Sequence, residues 1–241
     1  MALLSVESLD KSFGGIHATR DMSFDVKKGE ILGVIGPNGA GKTTLFNLIT
    51  GFIQPDRGRV IFDGRDITGL RPDRIARLGV ARTFQIAEPL FGLTVRESVR
   101  VNAYSRTGLT RHDADRVANE TIARVGLERK AHLLSSGLTA AERHRLEFAK
   151  SLASAPKIIL LDEIAAGLWP EEQNEIARLI GESADRDGIS FLIVEHKLAF
   201  MIAVAHSAIV VNFGEKIAEG TPSEVLSEPR VTQAYLGSEV A

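Results

Sequence analysis

The chain contains no cysteine, which excludes a disulfide framework and a thiolate metal site and fits a reducing compartment. It also lacks a long hydrophobic run. The longest apolar stretch, residues 199–211, is interrupted by His206 and Ser207 and falls well short of the ~20 residues that cross a bilayer. The first residues turn polar at Ser5 and Glu7, too early for a secretion signal, so work at a membrane would require a partner to hold the chain there. An excess of either charge is missing too. With 29 Lys and Arg against 31 Asp and Glu, the formal net charge is −2, without the clearly basic face that nucleic acid binding calls for. What is present is ordinary for a globular protein: 44% hydrophobic and 25% charged residues in 241, enough for one large domain or one domain with a lobe.

The most informative stretch is Gly36-Pro37-Asn38-Gly39-Ala40-Gly41-Lys42-Thr43-Thr44, which fits G-x-x-x-x-G-K-[ST]. Residues 30–35 before it read as a buried strand, and residues 43–50 after it carry Leu45, Leu48 and Ile49 at helical spacing. That strand, loop, helix context is what the motif needs. Its glycines let the backbone curl so that successive N–H groups and the positive end of the helix cradle β and γ phosphate oxygens. Lys42 adds a point charge, and Thr43 offers a hydroxyl to Mg²⁺.

Around this loop the chain reads as an α/β fold. Residues 3–9 and 22–26 alternate apolar and polar side chains, as in an antiparallel layer ahead of the loop. Between them, Phe13 precedes Gly14-Gly15, where its ring can stack on a purine or pack beneath the loop. Residues 59–62 read as a strand before an Asp63-Gly64 hairpin turn, residues 72–78 as a short helix, and residues 80–84 as a strand ending at Gln85. There the Gln85 amide oxygen would be in reach of a metal at the phosphate loop. From about Thr94 to Ala153 the periodicity is helical, with Gly108, Gly126 and Gly137 as breaks, which predicts a helical lobe inserted into the core.

The core resumes with Ile158-Ile159-Leu160-Leu161, a strand buried on both faces, followed by Asp162 and Glu163 at its carboxyl end, where α/β sheets place ligands. There Asp162 can hold the Mg²⁺ shell and Glu163 can polarise a water for in-line attack on the γ-phosphate. A second buried strand, residues 190–194, ends in Glu195-His196, which puts an imidazole in place to donate to the γ-phosphate or hold the attacking water. Strands at 208–212 and 216–219 and short helices at 222–226 and 229–236 complete the chain.

Taken together, these residues resemble the nucleotide-binding subunits of ATP-binding cassette (ABC) transporters over essentially the whole chain. The resemblance implies a single domain over residues 1–241: a P-loop NTPase core (1–86 and 155–241) with a mixed, mainly parallel sheet and an N-terminal antiparallel β layer, and an inserted α-helical lobe at about 87–154. In the family's terms Phe13 resembles the adenine-stacking aromatic, and residues 36–44 the Walker A loop, with Gly36, Asn38, Gly39, Ala40, Gly41, Lys42, Thr43 and Thr44 on the nucleotide. Gln85 resembles the Q-loop residue, Asp162 the end of Walker B, Glu163 the catalytic base and His196 the switch histidine. ATP and Mg²⁺ are the implied cofactors, the metal held by Thr43, Gln85 and Asp162. More narrowly, residues 36–50, Arg82-Thr83-Phe84-Gln85, Arg145-Leu146-Glu147, Ala165-Ala166-Gly167-Leu168 and Ala234-Tyr235-Leu236-Gly237 look like the branched-chain and hydrophobic amino-acid importers of bacteria; amide and urea importers share the likeness. That implies a peripheral subunit on the cytoplasmic face of the inner membrane. Its partners would be a second ATPase subunit (paralogue or self), transmembrane permeases and, indirectly, a periplasmic binding protein, with no nucleic acid.

Several positions depart from the family pattern. The signature, usually L-S-G-G-Q, falls on Leu138-Thr139-Ala140-Ala141-Glu142, Ile164 stands where Pro is usual, and Trp169 where the D-loop usually has Asp or Asn. Read physically, residues 139–142 are a capping box, which would also present a helix N-terminus to a phosphate held by another subunit. Glu142 would bring negative charge there unless the box absorbs it. Two other functions are weighed against the transporter reading. A soluble cassette acting on nucleic acid or ribosomes would add a second cassette, a coiled-coil insertion or a basic patch. A nucleotide-sensing module without hydrolysis is suggested by the altered signature, and Gln85, Glu163 and His196 speak against it.

Overall fold

The computed structural model describes residues 2–83, 92–106 and 108–236. Gln85 and the segment 84–91 lie outside them. The chain opens with a long hairpin, β1 (Ala2–Phe13) and β2 (Ile16–Lys27). Next, β3 (Ile31–Ile35) leads through the phosphate loop into α1 (Lys42–Ile49). β4 (Arg57–Phe62), β5 (Arg65–Asp66), α2 (Pro72–Arg77) and β6 (Val80–Arg82) follow. Helices α3 (Val95–Ala103), α4 (Arg111–Arg124) and α5 (Ala140–Ala153) pack on one another, and then β7 (Ile158–Asp162), α6 (Pro170–Asp187) and β8 (Ser190–Val194) return to the sheet. The chain continues through α7 (Leu198–Val204), β9 (Ser207–Asn212), β10 (Glu215–Gly220), α8 (Pro222–Ser227) and α9 (Pro229–Leu236).

Among the described residues the strands form two sheets, in the orders β2-β1-β4-β5 and β10-β9-β3-β8-β7-β6. The first is antiparallel. In the second, β9, β3, β8, β7 and β6 run parallel and β10 pairs antiparallel with β9. This is the α/β class with a mixed, mainly parallel sheet that the uninterrupted apolar runs predict. All five residues of β3, β7 and β8 are buried, and their alternate side chains serve two different cores. Leu32, Val34, Ile158, Leu160, Leu192 and Val194 join the antiparallel sheet and α1. Ile31, Ile35, Ile159, Leu161, Phe191 and Ile193 face helices α3 to α7. The two-residue period of a strand sends neighbours to opposite faces, so a strand sandwiched on both sides must be apolar at every position. Each such side chain contributes about 1.5–3 kcal/mol by leaving water. On the helical face the Phe148 ring of α5 stacks against Phe191 of β8 with centroids 6.2 Å apart, which joins the helices to the sheet in one apolar cluster.

Three elements differ from the expectation. The hairpin strands extend past the alternating segments 3–9 and 22–26, because register shifts between Val6 and Leu9 and between Leu9 and Lys11 break the alternation while pairing continues. Ser8 and Asp21 take left-handed φ of 44° and 45° at these irregularities. Of the strand expected over 80–84, Val80–Arg82 forms β6, Thr83 stands outside it and residue 84 lies outside the described residues. The apolar run 199–211 also divides. Its first part forms α7, unassigned by periodicity, which buries Phe200, Met201 and Val204 before β9 begins.

Candidate functional site

Because β3, β8 and β7 are adjacent and parallel, three chain segments leave the same edge of the sheet side by side. The phosphate loop follows β3, Glu195 and His196 follow β8, and Asp162 ends β7 with Glu163 next. Residues 120 to 160 positions apart in sequence therefore converge, at the carboxyl end of a parallel sheet where such folds place ligands.

The loop's shape is fixed by close backbone approaches. Gly41 is the N-cap of α1 with φ 102°, and a Cβ there would sit 2.0 Å from the Ala18 carbonyl oxygen of β2. A Cβ on Gly36 would sit 2.1 Å from the Val211 carbonyl oxygen of β9. Only glycine fits at either position. The buried Lys42 ammonium donates to the carbonyl oxygens of Gly36 at 2.7 Å and Pro37 at 2.8 Å, and so braces the loop from inside. Burial lowers its pKa, and the carboxylates of Glu163 and Asp162 oppose that shift. Asn38, Gly39 and Thr43 are exposed, whereas Ala40 is buried beneath them.

Asp162 is buried. Its backbone N–H donates to the Thr83 hydroxyl at 3.3 Å, and its carboxylate accepts from Arg82 at 3.4 Å. Burial pushes this carboxyl upward, against the Arg82 guanidinium and Lys42, which hold it down. Glu163 takes a left-handed φ of 52°, and its N–H donates to the Val194 carbonyl at 2.9 Å. The turn aims its carboxylate at His196, whose Nε2 lies 3.0 Å from Glu163 Oε1. A carboxylate and an imidazole in hydrogen-bonding contact, beside a buried acid and an ammonium-braced phosphate loop, form a set able to orient and activate a water.

The remaining expected residues are distributed as follows. Phe13 ends β1 with 47% of its surface exposed and the Lys11 ammonium 5.4 Å from its ring centroid, so it does not pack beneath the loop. Leu138 is buried, and Thr139 and Ala140 are exposed at the start of α5. The capping box is complete: the Thr139 hydroxyl accepts from the Glu142 N–H at 3.3 Å and Glu142 Oε2 accepts from the Thr139 N–H at 3.0 Å. The other Glu142 oxygen meets the Lys130 ammonium at 2.5 Å. That cation, followed by the cap, holds the Glu142 pKa down, so its charge is neutralised within α5's own surroundings. Trp169 stands 74% exposed, with its N–H donating to Glu172 at the start of α6.

Two residues at the site had been given no role from sequence. Arg82, at the end of β6, donates to Asn47 of α1 at 2.6 Å as well as to Asp162, and lies over the rings of Phe46 and Phe52. A cation in a short strand among apolar residues was the available signal, since such a charge needs a buried partner. Glu195 is 2% exposed, and its carboxyl accepts from the Ala165 N–H at 2.6 Å. The signal there was an acid closing a run of apolar residues. The phosphate loop also borders a cavity of about 590 Å³, walled by Pro37, Asn38, Phe213 and Ile217 together with Arg230 and Gln233 of α9. Tyr235 of the same helix reaches the Gly36 backbone.

The model of the ABC transporter family matches residues 19–166. The chain belongs to the ABC transporter family. A second family model, described as branched-chain amino acid ATP-binding cassette transporter, matches residues 215–241 of this cassette. The high-affinity branched-chain amino acid transport ATP-binding protein LivG of Salmonella typhimurium is 37% identical, with 98% of each chain covered. The lipopolysaccharide export system ATP-binding protein LptB of Haemophilus influenzae is 35% identical over 99% of each chain. Among solved structures, the ADP conformation of MJ1267, an ATP-binding cassette of an ABC transporter, superposes with a TM-score of 0.89 at 32% identity over 98% of this chain and 99% of that one. The cassette is accordingly a nucleotide-binding ATPase of the transporter family with the P-loop fold expected from its sequence.

Proposed function

We propose that this cassette is the ATP-hydrolysing subunit of a bacterial importer for branched-chain or related hydrophobic amino acids. It would bind MgATP at a seam with a second cassette and drive a transmembrane permease fed by a periplasmic binding protein, from the cytoplasmic face of the inner membrane. The observation that carries the hydrolytic part is the convergence of the phosphate loop, Asp162 and the 3.0 Å Glu163–His196 pair at one sheet edge. The amino-acid part is supported by the likeness to LivG along the whole chain and by the C-terminal match at residues 215–241.

In this reading the loop residues Gly36, Asn38, Gly39, Ala40, Gly41, Lys42, Thr43 and Thr44 hold the phosphates, and Phe13 offers its exposed ring to the base. The donor set suits a hard cation, with one hydroxyl and one buried carboxylate beside phosphate oxygens. Thr43 and Asp162, with Gln85 outside the described residues, would hold Mg²⁺, which when bound supplies charge neutralisation on the phosphates. Glu163 takes the proton of the attacking water, and His196 fixes the Glu163 carboxylate and the γ-phosphate relative to each other. Leu138, Thr139, Ala140, Ala141 and Glu142 serve the nucleotide of the partner cassette. With Glu142 tied to Lys130 and the Thr139 N–H, the helix N-terminus of α5 meets that phosphate without an opposing free carboxylate. Core segments 1–86 and 155–241 carry the chemistry, and the lobe at about 87–154, with Glu88-Pro89-Leu90-Phe91 outside the described residues, transmits it to the permease.

The test is hydrolysis by the full chain with MgATP. Glu163→Gln should keep ATP affinity within about twofold while kcat falls at least ~100-fold, the usual range for loss of a general base. Wild-type turnover would remove Glu163 from its role. Lys42→Ala should weaken ATP binding in calorimetry, and unchanged affinity would count against the phosphate-loop assignment. Uptake of labelled leucine in cells lacking the gene tests the cargo; undiminished uptake would refute it.

A further inference from the structure

The loop that leaves Glu163 is held by side chains on either side of His196. Glu163 starts it with a left-handed φ of 52°. The turn closes through the Ala166 N–H, which donates to the Glu163 carbonyl at 3.1 Å, and a second turn follows, with the Leu168 N–H donating to Ala165 at 3.4 Å. Glu163 itself is tied to the strand that carries His196 by its N–H to the Val194 carbonyl at 2.9 Å, but neither of these turns ties the loop beyond it. The link past Glu163 is made by Glu195, whose Oε1 accepts from the Ala165 N–H at 2.6 Å. On the other side of His196, the Lys197 ammonium donates to the Leu168 carbonyl at 3.2 Å, where the Gln173 amide also donates at 2.8 Å.

These contacts close a ring. The side chains of Glu163 and His196 meet at 3.0 Å, and the backbone two residues past Glu163 meets the buried carboxyl of Glu195, the residue next to His196. Glu195 is 2% exposed, and apolar Ile164 and Val194 are buried around the same junction. Water therefore has no access to replace the carboxyl as acceptor. A buried N–H without an acceptor is costly, so the loop would shift to find one. Loop movement changes the direction of the Glu163 carboxylate, and misplacing a reacting group by an ångström is enough to cost about 10²-fold in rate.

We propose that Glu195 is a positioning residue for hydrolysis: its carboxyl locks the loop after Glu163 to the end of the strand that presents His196 and so sets the geometry of the Glu163–His196 pair. The inference rests on the reading above that this pair serves hydrolysis, and it assigns the residue beside the histidine a role that neither partner can fill.

The experiment measures kcat and KM for MgATP hydrolysis by the full chain in Glu195→Leu, Glu195→Gln, His196→Ala and their combinations, with ATP affinity from calorimetry. Glu195→Leu keeps the volume and removes the acceptor; kcat should fall about 10- to 100-fold while KM and affinity stay within about twofold. Glu195→Gln retains an amide oxygen for the Ala165 N–H and should recover most of the lost turnover. Adding Glu195→Leu to His196→Ala should lower kcat by less than about twofold further, because both act through one geometry. A purely structural residue would instead lower affinity and turnover together and add to His196→Ala. If Glu195→Leu does not fold, Glu195→Asp, which keeps the carboxyl and shortens the reach, should show the same loss confined to kcat. Wild-type kcat in a folded Glu195→Leu or Glu195→Asp variant, with kcat strongly reduced in Glu163→Gln and His196→Ala, would overturn the assignment alone. Wild-type turnover in Glu163→Gln and His196→Ala would remove the reading beneath it, and the assignment with it.

Discussion

Arg82 offers the sharpest test of how the site is held together. Its side chain is 7% exposed and that of Asp162 4%, with the two 3.4 Å apart. The guanidinium also donates to Asn47 Oδ1 at 2.6 Å and to the Thr50 hydroxyl at 3.3 Å, and lies 5.5 Å and 5.9 Å from the centroids of Phe46 and Phe52. Replacing Arg82 with Met keeps an apolar stem against those rings and deletes the charge. Asp162 then remains buried without its hydrogen-bonded guanidinium, Lys42 acting on it only from the phosphate loop, and breaking a buried pair from one side costs about 3–5 kcal/mol. For a chain of this length each kcal/mol lowers the melting temperature by about 2–4 °C, so the expected drop is about 6–20 °C. Far-ultraviolet circular dichroism through a urea titration and a thermal melt is the assay, since the single tryptophan, Trp169, is 74% exposed and reports poorly on the core. Adding Asp162→Asn removes the stranded charge, so the double variant should be more stable than the sum of the two single losses by about 1–3 kcal/mol. A loss below about 1 kcal/mol in Arg82→Met, or strict additivity in the double variant, would show that the pair does not hold β6, β7 and α1 together in the way described.

Three further outcomes are expected. Gly41→Ala places a Cβ 2.0 Å from a backbone oxygen, whereas Gly39→Ala, at φ 78°, meets nothing within 4 Å; the second should cost only about 1–2 kcal/mol of backbone strain, and the first distinctly more in a thermal melt. Equal losses would contradict the close approach to β2. Changing Ala140, Ala141 and Glu142 to Gly, Gly and Gln should destabilise the chain by about 2 kcal/mol, since glycine costs about 1 kcal/mol per helical position and the Lys130 ion pair is lost. An unchanged or higher melting temperature would show that the altered signature confers no helix stability. Burial raises the Glu195 pKa above its ordinary value near 4.5. Between those two values the folded chain holds a proton that the unfolded chain has released, so stability falls as pH rises through the window. Glu195→Gln carries no such proton, and its melting temperature relative to wild type should rise between pH 4.5 and 8; a constant difference would place the Glu195 pKa at its ordinary value.

What the amino-acid order determined by itself was local, although the extent of the hairpin strands and the helix within 199–211 escaped it. Four apolar residues in a row must be covered on both faces, so 158–161 and 190–194 declared a parallel sheet; the loop at 36–44 declared its phosphates through glycine placement and Lys42; and Thr139 with Glu142 declared a helix start. Acids and a histidine directly after such strands were legible as site residues for the same reason, because the carboxyl edge of a parallel sheet is known once its strands are known. The tertiary structure decided what depends on which strands are neighbours. The order β9-β3-β8-β7-β6 brings Glu163 to His196, puts Arg82 on Asp162 from 80 residues away, and hands the Ala165 N–H to Glu195. A lone arginine or glutamate carries no periodicity, and its partner lies at no fixed spacing, so its meaning exists only after burial has removed water as the alternative partner. Lys130 makes the same point at the signature: Glu142 reads from sequence as a charge beside a phosphate site, and only the fold supplies the cation that neutralises it.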